Sequence, residues 1–145
     1  MIQIYNLKEL KTKALEDKVP IICDEGLDFL EKLLLENKAK SLLEIGTAIG
    51  YSAIALSLSA PNLKITSIER DKLMYEKALD NIKKFNLTDK IKLINNDALE
   101  VNLDEKFDVI FIDAAKAQYI KFFEKKLFIE KFLGSQGETD VKRYH

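Results

Sequence analysis

Four short apolar runs alternate with helical stretches along residues 41–113, and this alternation constrains the fold more than any single residue does. The runs are SLLEIG (41–46), LKITSIE (63–69), IKLIN (91–95) and FDVIFID (107–113), each of strand length. Between them, YSAIALSLS stops at Pro61, and DKLMYEKALDNIKKFN opens on Asp71, a capping residue, with Leu73, Ala78, Ile82 and Phe85 on one face. Strand and helix in turn, joined by short links, is the signature of βαβ units and hence of a parallel sheet.

Two helices precede the first strand. Residues 6–18 space Leu7, Leu10, Ala14 and Leu15 at helical intervals among lysines, a short amphipathic helix with a solvated charged face. Pro20 breaks the chain, and Asp24 is placed to cap a second helix whose buried stripe is Leu27, Leu30, Leu33 and Leu34. Across its 145 residues the chain has no repeat, low-complexity tract or flexible linker, so residues 1–145 read as a single α/β domain.

Composition excludes several classes. With 47% hydrophobic and 32% charged residues and no long apolar run, the chain reads as globular, with no membrane role. A net charge of -1 gives no global basic field towards nucleic acid. Cys23 stands alone, so no disulfide framework forms, and the opening MIQIYNLKEL lacks the pattern of a secretory signal. A cytoplasmic location is the expectation.

Parallel sheets bind ligands beyond the carboxyl ends of their strands, so the residues that end each run carry the functional signal. The first run enters EIGTAIGYSA, where Gly46 and Gly50 flank a tight turn onto a helix, and the small Thr47 and Ala48 between them leave room for a ligand to approach the backbone. A dinucleotide fingerprint beginning at Gly46 needs glycine where Ala48 and Tyr51 stand; a tyrosine there would push the helix away, which disfavours an NAD-dependent oxidoreductase. Glu44 would repel a pyrophosphate but suits a ligand bearing an amine or a sulfonium. Glu69 ends the second run, where a carboxylate can accept both hydroxyls of a ribose; a solvated acid before a helix is the alternative. Asp97 and Ala98 follow the third run, and there Asp97 could instead cap the short turn DALE. Asp113 ends the fourth run and Lys116 lies one helical turn on, so both side chains can face the same side of the strand end.

Taken in order, VPI before the second helix, LLEIGTAIGYSAI, IERD, NIKKFNLTDKI, DALE and FDVIFIDAAKAQYIKFFE resemble the S-adenosylmethionine-dependent O-methyltransferases of the cation-dependent class, which includes catechol and caffeoyl-CoA methyltransferases. The likeness runs from about residue 19 to residue 124 and is greatest to the bacterial branch containing tRNA 5-hydroxyuridine methyltransferase. It implies a Rossmann-like class I methyltransferase fold, here with sheet order 3-2-1-4 and the later strands absent. It also implies that Glu44 and Gly46 line the loop against the methyl donor, that Ser52 holds the donor's methionine carboxylate, and that Ile22 contributes a contact mainly through backbone. Glu69 would take the ribose hydroxyls, and Asp97 with Ala98 would frame the adenine. Asp113 would be shared by the donor site and a Mg²⁺ site, and Lys116 would be the catalytic base. The expected partners are S-adenosylmethionine, a hydroxyl-bearing acceptor (tRNA 5-hydroxyuridine first, a catechol-like phenol next) and a second copy of the chain. Lys8, Lys11 and Lys13 are candidates for phosphate contacts with tRNA.

The likeness fades after Glu124. The adjacent Asp-Asn pair that completes the family's metal site is missing: Asp140, between Thr139 and Val141, does not reproduce it, and His145 reads as a terminal residue. A chain shortened by a frameshift or early stop is the expectation, with FDVIFID left as an edge strand that LFIEKFL covers as a helix or another chain pairs with. A non-catalytic, donor-binding remnant is the competing function.

Overall fold

The computed structural model describes residues 6–98, 100–101, 105–112, 127–131 and 139–143. Helix α1 (Leu7–Glu16) starts at Asn6, whose side-chain oxygen accepts from the Glu9 amide at 2.9 Å while its Nδ2 donates to the Glu9 carboxylate, and it buries Leu10 and Ala14. Leu15, expected on the buried face, is 60% exposed. In α2 (Asp24–Glu36) the anticipated leucines are buried, but the cap is Cys23, whose sulfur accepts from the Gly26 amide. Asp24 falls one residue inside the helix, where its carboxylate favours the positive end of the helix dipole and pairs with Lys11 at 2.6 Å.

Strand β1 (Ser41–Ile45) leads into α3 (Tyr51–Ser59), which is buried from Tyr51 to Ser57 and ends before Pro61. Strand β2 (Lys64–Glu69) is followed by α4 (Lys72–Lys84), capped by Asp71 through a 3.0 Å bond from the Met74 amide. Helix α4 buries Ala78, Asn81 and Ile82, whereas Leu73 is 69% exposed. A polar residue takes the inward position because Asn81 Nδ2 donates to the Ile49 carbonyl at 2.9 Å. Strands β3 (Ile91–Asn95) and β4 (Val109–Ile112) complete the parallel core.

The order β3-β2-β1-β4 appears as expected, with β1 between β2 and β4 in parallel register. The expectation that later strands are absent is corrected: β5 (Leu127–Lys131) runs parallel to β4, and β6 (Thr139–Arg143) closes antiparallel on β5. Strand β4 is therefore internal, and LFIEK is a strand rather than a covering helix. The physical reason is the unpaired backbone that an edge β4 would present: a nearby segment of apolar and β-favouring residues satisfies it.

Alternate residues of each strand serve opposite faces. Leu42, Ile65, Ile91, Val109 and Phe111 join one cluster together with buried residues of all four helices, while Leu43, Ile68, Ile110 and Ile112 join a second with Phe107. Burial on both faces explains why the runs read as continuously apolar rather than alternating. At the start of the sheet, Asp108 links two strands: its carboxylate accepts from the Lys40 amide at 2.8 Å, and its amide donates to Ser41 Oγ at 2.9 Å.

Candidate functional site

The carboxyl ends of β1, β2 and β3 converge, and the loop 46–50 lies across them. Three of its residues are left-handed: Gly46 (φ 96°), Ala48 (φ 50°) and Gly50 (φ 91°). The two glycines adopt this region without steric cost, and Ala48 is held there by the Glu69 carboxylate, whose Oε1 accepts its amide at 2.8 Å. Gly46 N donates to the Ile68 carbonyl and Gly50 N to the Thr47 carbonyl, so the turn is closed through backbone. Beneath it, Asn81 takes the Ile49 carbonyl, which fixes the loop on α4.

Glu44 is completely buried. Its Oε2 accepts from Ser52 Oγ, the second residue of α3, and its Oε1 accepts from Ser67 Oγ of β2 at 2.6 Å. Ser67 Oγ in turn lies 2.6 Å from Thr47 Oγ1. Thus four side chains from two strands, a loop and a helix meet in one hydrogen-bonded group. This corrects the reading of Thr47 as a small residue that leaves space: it is 2% exposed and its hydroxyl is committed inward. Ala48 alone of that pair is part-exposed.

Glu69 ends β2 as expected and is not merely a solvated acid. Besides Ala48, it accepts the Asp71 amide on Oε2 at 2.9 Å, so each oxygen is bound once and the carboxylate is oriented. An ionised carboxylate oxygen can accept more than one donor, leaving capacity on both. The neighbouring end of β3 is tied to it by Asn95, whose Nδ2 donates to the carbonyls of Glu69 and Arg70, and by the Asn96 amide on the Glu69 carbonyl. Asp97 and Ala98 follow in a turn closed by the Glu100 amide on the Asp97 carbonyl.

Ile22 lies just before α2 with its side chain 1% exposed. A Cβ on Gly26 would stand 3.1 Å from Ile22 Cγ1, so glycine in the first turn of α2 is what lets Ile22 settle there. Tyr51, the misfit for a dinucleotide fingerprint, opens α3 and is buried; burial raises its phenol pKa, against the opposing pull of Lys11. Lys11 is engaged by Asp24, which raises its own pKa, so the lysine proposed for a phosphate contact is already paired. Asp113 and Lys116 lie outside the described residues. Strand β4 ends at Ile112, level with Ile45 of β1.

The sequence reading missed Ser67, Asn81 and Asn95. The signal for Ser67 was present in the polar pair Thr66-Ser67 inside an otherwise apolar strand. Among the described residues, no group of three His, Cys, Asp or Glu side chains is disposed to hold a metal ion, and no helix is long and apolar enough to cross a membrane.

Comparison with known proteins converges on one relationship. The profile of a family described as O-methyltransferase matches residues 2–134. A provisionally named caffeoyl-CoA O-methyltransferase of Arabidopsis thaliana is 38% identical over 141 residues, covering 88% of this chain and 60% of the relative. A solved Staphylococcus aureus structure, also provisionally named caffeoyl-CoA O-methyltransferase, superposes with a TM-score of 0.78 at 37% identity, over 87% of this chain and 66% of that one. The O-methyltransferase of Bacillus cereus, solved in complex with SAH, gives a TM-score of 0.73 at 27% identity over 86% and 64%. The chain thus spans about 60% of the length of the curated relatives it matches. Its sheet order, its strand-end loop and its match over residues 2–134 together make it a member of the O-methyltransferase family to which the caffeoyl-CoA enzymes belong.

Proposed function

We propose that the chain binds S-adenosylmethionine across the ends of β1, β2 and β3 and serves transfer of its methyl group to a hydroxyl oxygen. The observation that carries this reading is the pair of oriented carboxylates, Glu44 and Glu69, on adjacent strand ends beside a left-handed loop. Glu69 keeps acceptor capacity on both oxygens for the two ribose hydroxyls. The Gly46 loop lies against the donor, Ser52 meets its methionine carboxylate through its backbone amide because its hydroxyl is committed to Glu44, Ile22 adds a backbone contact, and Asp97 with Ala98 frames the adenine. Family membership, and the SAH held by the Bacillus cereus relative, support the choice of ligand.

The reaction is an in-line displacement. Lys116, as a neutral amine, takes the acceptor's hydroxyl proton; the oxygen lone pair attacks the methyl carbon, the carbon–sulfur bond breaks, and its electrons remain on sulfur as the neutral thioether. The protein's work is alignment and deprotonation. The described residues do not by themselves supply a Mg²⁺ site, and Asp113, the family's shared ligand position, lies outside them. A hydroxyl of lowered pKa is the chemical requirement on the acceptor. The ordered sequence blocks favour tRNA 5-hydroxyuridine, and the caffeoyl relatives favour a catechol-bearing acceptor. A homodimer is the proposed assembly, read by light scattering.

Calorimetric titration with S-adenosylmethionine and S-adenosylhomocysteine tests the reading, followed by methyl transfer to hydroxyuridine tRNA and to a caffeoyl thioester with and without Mg²⁺. Saturable binding of both nucleosides is expected. Binding without turnover on either acceptor would make the chain a donor-binding module, and no binding would sink the proposal.

A further inference from the structure

The hydroxyls around Glu44 form a directed chain, and its direction assigns roles to two residues that the donor site does not otherwise use. A serine or threonine hydroxyl has one hydrogen to give. With Glu44 ionised, Ser67 spends its hydrogen on Oε1, so the 2.6 Å contact between Ser67 and Thr47 must be donated by Thr47. Ser52 spends its hydrogen on Oε2. Every hydroxyl in the group therefore points towards Glu44, which is the arrangement that favours a carboxylate over a neutral acid in a fully buried place.

We propose that Ser67, backed by Thr47, is a positioning residue that orients the Glu44 carboxylate, and that this buried group raises the affinity for the sulfonium donor relative to that for the thioether product. The inference rests on the donor-binding reading above. The two ligands share the ribose, adenine, ammonium and carboxylate and differ in the methyl group and in the charge on sulfur. A fixed negative charge at low local dielectric attracts the extra positive charge of the donor, and transfer of the methyl group removes that attraction. Glu69, on the adjacent strand end, adds to the same field. Ser67 contributes without touching the donor: its side chain lies inside β2, two residues before Glu69, with 0% exposure.

The test is a cycle of Ser67→Ala, Glu44→Gln and the double variant, each titrated with S-adenosylmethionine and S-adenosylhomocysteine after its fold is checked by circular dichroism. S67A is expected to weaken S-adenosylmethionine about three- to tenfold, the loss of one hydrogen bond to a charged group, and S-adenosylhomocysteine less. In the E44Q background the same substitution is expected to change neither affinity, because the group it acts through is gone. Equal weakening of both ligands by S67A, or a full S67A effect in E44Q, would overturn the inference, since a merely structural role predicts both. If E44Q does not fold, the donor-to-product affinity ratio decides in S67A and in the near-isosteric T47V: a lowered ratio supports the inference and an unchanged ratio overturns it. Failure of the unaltered chain to bind either ligand is a different result, and it defeats the donor-binding reading itself.

Discussion

At the scale of single residues, Glu69 links local geometry to ligand recognition. Its two oxygens hold the amides of Ala48 and Asp71, so the loop and the start of α4 are positioned by the side chain proposed to receive the ribose. Glu69→Gln sets an amide NH₂ against one of those backbone donors. A loss of about 1–2 kcal/mol in stability is expected by denaturant titration, together with weaker donor binding by calorimetry. Tyr51 offers a pH test. Its folded phenol pKa is raised by burial above the unfolded value near 10, so the protonated phenol stabilises the fold below that pH and the contribution is lost as pH rises through the folded value. Tyr51→Phe is expected to flatten the fall in unfolding free energy above about pH 10 relative to the unaltered chain, measured by denaturant midpoints from pH 8 to 11. Raised titration of Lys11, owed first to its bond with Asp24 and in part to Tyr51, acts in the same direction, so the difference between the two proteins reports the phenol together with its coupling to Lys11.

At the scale of elements, the parallel core was legible because its strands are short apolar runs separated by helices with clear stops, such as Pro61 and the Asp71 cap. Glu69 was legible for a similar reason, as a charge ending an apolar run. The inward commitment of Thr47 and Ser67 was not, because hydroxyls carry no periodic signal and their partners lie 20 or more residues away. Strand β5 was missed because Leu127–Lys131 adjoins further apolar residues in LFIEKFL, a run too short to distinguish strand from buried helix by period. Its pairing on both sides yields a direct test. Ile129 stands between Phe111 of β4 and Val141 of β6, so Ile129→Pro removes a ladder donor inside the sheet. A cost of about 3 kcal/mol or more is expected, with faster amide exchange in β4 than in β2, read by hydrogen exchange. Unchanged protection of β4 would contradict its internal place.

At the scale of the whole molecule, the proposed donor site draws on elements distributed from Ile22 to Ala98, so ligand and fold stability should be coupled. Saturation with S-adenosylmethionine at about a hundred times its Kd is expected to add about 2.7 kcal/mol to the unfolding free energy, seen as a concentration-dependent rise in Tm. A Tm indifferent to donor concentration would argue against a site formed only in the folded chain. The sheet order also has a consequence for how the chain acquires its structure. Strand β1 ends at Ile45, but its partner on one side, β4, ends only at Ile112, with β2 and β3 emerging between them. At synthesis rates of about 5–20 residues per second, the open flank of β1 waits on the order of seconds on the ribosome for its neighbour. During that interval the nascent three-stranded sheet carries an uncovered apolar margin, a natural target for a chaperone.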